Sequence, residues 1–472
     1  MNKILGIVKK SSLLKSGFWY TCANFFLKGV NFISIPVFVQ MMSVKDYGFI
    51  NNFTAWTLIV TYFVGMNLNV AVNNANFEFK KNIDAFMSSV LFLGIIIGMA
   101  LTVLTMIAFS LWPKFFGLSK IVVFCVLLQS FSMFVVTFQS AFYMINNKYF
   151  QNIILSFFST VANFGVSLFF MFTIYSSNVA LGRVYGSTFG LALLALYLCF
   201  RILLRGRNIV NVEYWLYALK ISIPVIPHSL GNILLSQFDR IMITNTVGNN
   251  AAGIYSYAYN ISTVINVLWL SMNNAWIPWF YSKMKAMQYE IIRKVMGDYI
   301  RLFSFLSVIA INMLIDVGRL MGQSTYIVGI KLIVPISLGY FFIFLYGFAV
   351  NTEFFYKKTV FIGAITSMSA ALNVLLNLYF IPKYGYVSAA YTTLVTFVFQ
   401  FCTHAFMGYK IEKKLAFHIY DYKALLDAII SIGVYAVLLL LFLKFLFVRY
   451  IIMLAFITII ILPWFSRRSK TV

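Results

Sequence analysis

The chain consists of a succession of apolar blocks of about 20 residues, the length that an α-helix needs to cross the hydrocarbon of a bilayer. Only 10% of the 472 residues are charged and 62% are hydrophobic, whereas soluble domains carry roughly 25% charged residues. A soluble core of this size would therefore lack a charged surface. An outer-membrane barrel would instead show shorter segments of alternating polarity. We predict an all-α polytopic membrane protein.

The blocks predict about fourteen transmembrane helices. Most of the 36 Lys and Arg residues fall in loops that are cytoplasmic if the N-terminus is cytoplasmic, so the positive-inside rule places both termini inside. We interpret the net charge of +24 as a signal of topology and of anionic lipid headgroups, not of nucleic-acid binding. The predicted ranges are about 16–42, 53–72, 86–111, 121–144, 153–175, 180–200, 221–245, 253–276, 302–318, 332–352, 360–381, 386–407, 424–443 and 448–465.

The short connections between the blocks count against many membrane enzymes, which usually need a sizeable external loop or domain to hold their chemistry. The sequence shows no nucleotide-binding loop, metal-ligand spacing or nucleophile motif. We expect no enzymatic activity, no metal and no cofactor. The energy to move a cargo would come from an H⁺ or Na⁺ gradient or from the supply and removal of the cargo itself. The four cysteines lack CxxC spacing and are predicted to be free buried thiols: Cys22, Cys125, Cys199 and Cys402.

A faint internal repeat relates the two halves of the chain. The segments 44–49 and 249–254 align through Gly48 and Gly253, and the same alignment places Asn69 on Asn274. Six predicted spans separate the two copies. Because an even number of spans preserves orientation, the repeat predicts parallel halves related by an axis along the membrane normal.

Lys28 lies midway along the first predicted span. Asn24 and Asn31 share its helical face. A lysine at mid-membrane costs roughly 3 kcal/mol on insertion scales. The structural interpretation is that Lys28 extends to the membrane surface or pairs with a carboxylate. The functional interpretation, which we favour, is that the three residues line a cavity for an anionic cargo.

The seventh span carries polar residues at steps of four, four and three, which is one helical face. They are His228, Asn232, Ser236 and Asp239. Arg240 follows Asp239, and adjacent helical residues point about 100° apart, so one of the two could face a cavity while the other reaches headgroups.

The eighth span repeats nearly the same rhythm. Its polar residues are Ser256, Tyr259, Thr263, Asn266 and Asn273. Polar stripes on membrane-length helices face a cavity rather than lipid, so we predict that both stripes contact a cargo.

A few ionisable residues inside the spans have more than one interpretation. Asp239 and Glu353 are the candidates for ion coupling. Glu353 could instead form a helix-end ion pair with Lys357 or Lys358. A buried, hydrogen-bonded histidine is the expected role of His404.

Two further predictions concern the rims of the bundle. Asp316 and Arg319 are three residues apart and are expected to form a local ion pair. Arg183 lies near the start of the sixth span and is expected to be interfacial.

Several stretches resemble one family of transporters. The turn Val44-Lys45-Asp46-Tyr47-Gly48 resembles the first external turn of polysaccharide flippases. The segment 223–229, the pair Asp239-Arg240, the segment 252–255 and the segment 275–280 resemble their seventh and eighth spans. The region from Asn373 to Ala390 resembles the turn between spans eleven and twelve, with Ser388 where the family usually has Gly. The order and spacing of these stretches resemble the O-antigen (Wzx-type) oligosaccharide flippases, whose superfamily includes the multidrug and toxin extruders (MATE).

The resemblance implies a fold with two pseudo-symmetric six-helix lobes, here residues 1–206 and 207–412, and two C-terminal helices in residues 413–472. It implies alternating access that moves an undecaprenyl-diphosphate-linked O-antigen unit from the cytoplasmic to the periplasmic leaflet of the bacterial inner membrane. Membrane lipids and the O-antigen polymerase machinery are the other expected contacts. The predicted cargo-binding residues are Lys28, Asn24, Asn31, His228, Asn232, Ser236, Asp239, Arg240, Tyr259, Thr263 and Asn266.

Two alternative functions stay open at this point. A MATE-type drug or cation exporter should place acidic residues in its cavity, and the candidates here are as basic as they are acidic. A membrane glycan polymerase or ligase should have a long external loop, which the sequence does not contain.

Overall fold

The structure, a computed structural model, describes residues 32, 34–111, 117–415 and 418–468. Within these ranges the regular secondary structure is helical, and fourteen helical segments follow the order of the fourteen predicted spans. The predicted fold class is confirmed. The segments are α1 (residues 34–41), α2 (Val44–Glu78), α3 (Lys80–Leu111), α4 (Lys120–Ile145), α5 (Tyr149–Phe172), α6 (Val179–Gly206), α7 (Val212–Thr246), α8 (Asn249–Lys285), α9 (Tyr289–Met321), α10 (Ser324–Phe355), α11 (Thr359–Tyr384), α12 (Val387–Leu415), α13 (Tyr422–Leu441) and α14 (Leu446–Arg468).

Ten of the helices in the described ranges are long and apolar enough to cross a membrane, namely α2–α7, α9–α11 and α13. The outward faces of these helices carry large apolar side chains, among them Met99 and Leu104 on α3 and Phe157 and Phe169 on α5. Soluble monomers rarely expose contiguous apolar surface of this extent. The multi-pass membrane location is therefore confirmed.

The chain divides into two compact units. The first includes Met41–Ala252, and the second includes the described residues from Gly253 onward together with Ile35–Gln40. The predicted lobe boundaries after residues 206 and 412 stay predictions.

In the first unit, α4 lies at the centre and packs against α2 and α6, while α7 packs along α2. Its core is aromatic and aliphatic, with Phe86, Phe134 and Phe138 almost completely buried. Helix α2 is broken at residues 65–68. A methyl group at Gly65 would lie 2.4 Å from the Phe134 ring, so the absence of a side chain there allows α4 to approach the break.

Helices α5 and α6 approach each other across a stripe of glycines. Gly182, Gly186 and Gly190 are spaced four residues apart and lie on one face of α6. A methyl group at Gly190 would lie 2.1 Å from the Ala162 carbonyl oxygen, and one at Gly186 would lie 2.6 Å from Ser167 Cα. Small residues at this spacing allow helix backbones to touch in membranes, where dispersion and polar contacts replace the hydrophobic effect.

The glycine stripe faces a π-helical turn of α5, Val161–Gly165. Arg183 of α6 donates from Nη1 to the Asn163 carbonyl oxygen (2.5 Å) and to the Ser167 hydroxyl, and from Nη2 to Asn163 Oδ1 (2.8 Å). Its guanidinium carbon also lies 5.1 Å from the centre of the Phe164 ring. The Arg183 side chain thus turns into α5 and bonds a carbonyl beside the irregular turn, a set of contacts that the sequence did not predict. The expected place of Arg183 at the membrane interface stays a prediction.

In the second unit, α12 packs along α10 and α11, and the last two helices pack on α9. Phe303 of α9 and Phe344 of α10 stack with ring centres 4.0 Å apart. The Tyr435 hydroxyl of α13 donates to the Val308 carbonyl of α9 at 3.0 Å. These contacts attach the C-terminal pair of helices to the unit.

Two smaller sequence predictions have mixed outcomes. Helices α2 and α8 each begin four residues before the aligned glycines, Gly48 and Gly253, which agrees with the repeat. Among the cysteines, Cys125 and Cys199 are free and buried, but Cys402 is free and exposed. The buried-thiol prediction is wrong for Cys402, and Cys22 lies outside the described residues.

Candidate functional site

The polar stripe of α7 begins just after a break in that helix. Residues Ile223–Val225 form a 3₁₀ turn, with Pro224 inside it and Pro227 two residues later. Proline lacks a backbone N–H and cannot continue the hydrogen-bond ladder of an α-helix interior. The break therefore starts a new helical segment, Ile226–Thr246, which carries the predicted residues.

The first three stripe residues share one accessible face, as the spacing predicts. His228 Nε2 lies 3.4 Å from Asn232 Nδ2, and Asn232 is exposed. The Ser236 hydroxyl donates to the Ile233 carbonyl at 3.1 Å and accepts from Gln237 Nε2 at 3.4 Å. His228 and Ser236 are half-buried, which leaves this face open to a ligand.

Asp239 and Arg240 lie deeper in the first unit. Their exposed fractions are 1% and 3%. Arg240 Nη1 donates to the Ser236 carbonyl at 2.7 Å and to Gln237 Oε1 at 2.9 Å. The idea that one of the two reaches the headgroups is therefore wrong, because both side chains are held among protein atoms.

The break in α2 adds a residue that the sequence analysis missed. Asn67 adopts a left-handed conformation with φ of 54°, and its amide donates to the Ser229 hydroxyl of α7 at 3.2 Å. A helix interrupted inside the membrane presents backbone and side-chain polar groups where a continuous helix would not. The Gly-Met-Asn run at 65–67 was the available signal. The α7 face thus consists of Asn67, His228, Ser229, Asn232 and Ser236.

The α8 stripe, in the second unit, is less accessible than predicted. Ser256 is completely buried and Tyr259 is 4% exposed, and the Tyr259 ring centre lies 6.1 Å from that of Tyr340. Tyr259 therefore packs inside the unit in this conformation, and its cargo role stays a prediction.

The remaining residues of that stripe are more accessible than Ser256 and Tyr259. Thr263 and Asn266 are half-buried, and the Thr263 hydroxyl donates to the Asn260 carbonyl at 2.6 Å. Asn273 Oδ1 accepts from the Asn351 amide of α10 at 2.9 Å.

The first-span candidates, Lys28, Asn24 and Asn31, lie outside the described residues. Their cargo role stays a prediction.

Glu353 is completely buried and has a partner that the sequence did not suggest. Its two carboxylate oxygens lie 3.0 and 2.9 Å from His404 Nδ1 of α12. Lys357 and Lys358 are exposed. Glu353 therefore contacts a residue of another helix in place of the predicted pair with Lys357 or Lys358 at the end of its own helix. The prediction that His404 is buried and hydrogen-bonded is confirmed.

Buried polar clusters occur in both units. In the first, Gln129 Oε1 accepts from the Ser187 and Thr188 hydroxyls, each at 3.0 Å. In the second, Asn373 donates to the Thr393 hydroxyl at 3.1 Å and accepts from Asn377 at 3.1 Å. Asn373 and Asn377, four residues apart in an apolar helix, were the sequence signal for the second cluster.

The model of the polysaccharide biosynthesis protein family matches residues 13–285, which is more than half of the chain. A curated relative, an uncharacterized membrane protein of Haemophilus influenzae, is 22% identical over 289 residues. That match covers 58% of this chain and 66% of the relative, so it spans just under two thirds of the relative's length.

Solved membrane transporters share the fold. The lipid II flippase MurJ, in an inward closed conformation, superposes with a TM-score of 0.67 at 16% identity and covers 95% of this chain and 99% of its own. A MOP-superfamily transporter of Pyrococcus furiosus has a TM-score of 0.55 at 12% identity, covering 84% and 95%. The Vibrio cholerae MATE transporter VcmN has a TM-score of 0.52 at 14% identity, covering 85% and 97%. The chain therefore belongs to the polysaccharide biosynthesis protein family and shares its fold with the solved lipid II flippase and MATE transporters.

Proposed function

We propose that the protein is a flippase that moves an undecaprenyl-diphosphate-linked O-antigen repeat unit from the cytoplasmic to the periplasmic leaflet of a bacterial inner membrane. The observation that carries the proposal is the family match to polysaccharide biosynthesis proteins over residues 13–285. The likeness to the lipid II flippase MurJ over 95% of the chain supports a lipid-linked cargo.

The α7 face supplies the chemistry that such a cargo needs. Sugars and a diphosphate cannot enter hydrocarbon without losing hydrogen bonds to water, at a cost of several kcal/mol for each polar group. The side chains of Ser229, Asn232 and Ser236 can replace those bonds on one side of the head group. Asn67 is buried and supports that face through its hydrogen bond to Ser229. The lipid tail can stay among the acyl chains while the head group changes sides by alternating access.

The diphosphate requires positive charge as well. Lys28 is the cation that we propose for this role, because its first-span position is costly unless it serves a polar path. Arg240 Nη1 donates to the Ser236 carbonyl and to Gln237 Oε1, so we assign Arg240 to the support of the α7 face. Asn24 and Asn31 would extend the same polar path from the Lys28 face.

Complementation tests this function. Expression in a strain that lacks its own O-antigen flippase should restore O-antigen on the cell surface, measured by lipopolysaccharide gels and by antibody binding. Lys28→Ala should abolish display at normal protein level, whereas Lys28→Arg should retain most of it. The matched control is Lys331→Ala, which changes a lysine in the first turns of α10. Failure of the unaltered protein to restore display in strains with different repeat units would reject the O-antigen cargo.

The MATE-type exporter is the second candidate, because MATE transporters share the fold. It predicts resistance to cationic drugs when the protein is expressed in a strain without its main exporters. Resistance without O-antigen display would favour that function over ours.

A further inference from the structure

A carboxylate and an imidazole form a closed pair between two helices of the second unit. Glu353 has 0% and His404 has 2% of its side chain exposed. Both carboxylate oxygens are within hydrogen-bond distance of His404 Nδ1. Glu353 lies two residues before the end of α10 at Phe355. The pair is thus enclosed. It nevertheless lies less than one turn from the end of α10, and the distribution of Lys and Arg predicts that this end is cytoplasmic.

The walls of this enclosure are mostly aromatic. The Tyr346 ring of α10 stacks on the imidazole with centres 5.5 Å apart, and the Phe361 ring of α11 lies edge-on at 6.0 Å. The phenol of Tyr420, which precedes α13, lies beside Thr352 and near Glu353. Among the described residues, Tyr346 and Tyr420 are therefore two further titratable groups near the pair.

The position of Tyr420 is held by a second carboxylate. Glu412 of α12 accepts from the backbone N–H groups of Ile419 and Tyr420 and from the hydroxyl of Tyr422. Its carboxylate also lies 3.7 Å from His418. A methyl group at Gly408 would lie 2.8 Å from the Tyr420 hydroxyl, so the phenol occupies space that only glycine leaves free. Tyr420 is thereby fixed beside the end of α12.

Electrostatics favour a single proton on the enclosed pair. Without a proton the pair carries one negative charge, with one proton it is neutral, and with two it carries one positive charge. An isolated charge in apolar surroundings is costly, so the neutral state is preferred while the walls are closed. Water that reaches the pair would solvate both charged states and weaken that preference. The affinity of the pair for a proton would then differ between a closed and an open conformation of the protein. Such a difference is the condition for coupling proton binding to the conformational change.

Packing alone does not require this pair. Replacing a buried ion pair by apolar residues of similar volume is often neutral or stabilising. Stability of the fold alone therefore does not account for two ionisable residues at this place. We propose that Glu353 and His404 form a proton-binding site that couples proton movement to transport, an inference that rests on the transport function proposed above. One proton binds between Nδ1 and a carboxylate oxygen, and it leaves to water past Tyr420 when this end opens. No bond other than those to the proton changes.

The first experiment measures proton binding directly on the full-length protein in lipid vesicles, with no cargo added. Infrared difference spectra between acid and alkaline buffer should contain a carboxyl band that is lost in Glu353→Gln and shifted in His404→Asn. Glu290→Gln, which removes an exposed carboxylate on α9, should leave that band unchanged. A spectrum of Glu353→Gln identical to that of the unaltered protein would overturn the site.

The second experiment measures transport as O-antigen display in cells at several external pH values. We expect Glu353→Gln and His404→Asn to lower display by roughly tenfold or more, the usual size of a coupling effect, and to abolish its pH dependence. The double variant, which leaves no charge unpaired, should fold with normal thermal stability and still lack pH dependence. Unchanged pH dependence in a folded double variant would overturn the coupling.

The two experiments separate this inference from the proposed function. If the unaltered protein fails to restore display, the O-antigen cargo is rejected, whereas the infrared band still decides whether Glu353 and His404 bind a proton. If display is normal and the band does not depend on Glu353, the proton site alone is rejected.

Discussion

Arg449 of α14 is completely buried, and its guanidinium donates to the carboxylate of Asp316 on α9. Arg449 Nη1 also donates to Asn312 Oδ1 at 3.1 Å, one turn earlier on α9. The sequence analysis paired Asp316 with Arg319. That local contact exists at 4.0 Å, but Arg319 donates chiefly to the Leu443 carbonyl at 2.7 Å. The predicted local pair is therefore present as a long contact, and both charged side chains of α9 also hold the last two helices.

Arg449→Met should destabilise the protein strongly. The variant deletes the hydrogen bonds of Arg449 to Asp316 and to Asn312, and hydrogen bonds to charged groups contribute about 1.5–3 kcal/mol each. The measurement is thermal unfolding of the purified protein in detergent. Lys444→Met, at an exposed position in the same C-terminal region, should change the unfolding temperature little. The double variant Asp316→Asn with Arg449→Met should recover part of the loss, and no recovery would show that the ion pair is not the cause.

Gly186→Ala and Gly190→Ala should each separate α5 from α6. The added methyl group would meet backbone atoms, which cannot move aside as a flexible side chain can, and overpacking typically costs about 1–3 kcal/mol. Gly433→Ala, where no atom lies within 4 Å of the new methyl group, is the matched control and should be neutral or slightly stabilising. Equal unfolding temperatures for all three variants would contradict the close contact described here.

Arg183→Lys should be nearly as harmful as Arg183→Leu. The guanidinium fork reaches the Asn163 carbonyl, Asn163 Oδ1 and the Ser167 hydroxyl together, and a lysine ammonium cannot reproduce that planar geometry. We expect a loss of about 2–3 kcal/mol for either change, since hydrogen bonds to charged groups contribute about 1.5–3 kcal/mol. Thermal unfolding measures it, and full stability of the lysine variant would show that charge alone suffices.

Gly408→Ala should destabilise the end of α12, and Tyr420→Phe should rescue it. The new methyl group would lie 2.8 Å from the Tyr420 hydroxyl and 3.0 Å from two carbons of its ring, so removal of the hydroxyl relieves the shortest contact and should rescue part of the loss. Burial raises the pKa of the Tyr420 phenol, so the folded protein keeps this proton above the ordinary value of about 10. The contribution of Tyr420 to stability is therefore present below that pH and is lost as pH rises above it. Thermal unfolding at neutral and alkaline pH tests both statements, and a Tyr420→Phe variant with the same alkaline loss would refute the second.

Asn232→Ala should reduce O-antigen display without reducing protein level. Asn232 is the exposed member of the α7 face, so its removal costs little stability but deletes a donor and an acceptor for cargo. We expect a loss of roughly tenfold, which is the effect of about 1.4 kcal/mol. Thr246→Ala, at an exposed position at the end of the same helix, should display normally. A loss of equal size in both variants would point to folding rather than to cargo.

The number and order of the helices were predictable because a membrane span is a local property. A block of about 20 apolar residues must satisfy its backbone hydrogen bonds internally, whatever surrounds it. The α7 face was predictable for a similar reason. His228 and Asn232 are four residues apart, and helix geometry brings them together on one face.

Contacts between distant helices could not be predicted in this way. Glu353 and His404 are 51 residues apart and Asp316 and Arg449 are 133 apart. Local spacing suggested Lys357 or Lys358 for Glu353, and for Asp316 it indicated Arg319 but not Arg449. The break in α2 was missed as well, because Asn67 gains a role only from the hydroxyl of Ser229 on α7.

The sequence by itself determined that the chain spans a membrane as helices and which helical faces are polar, since these follow from the apolarity and period of single segments. Only the tertiary structure decided which polar residues are paired inside the units and which stay accessible. In an apolar medium each buried charge takes the partner that packing brings within reach, and packing is set by the shapes of all the helices together.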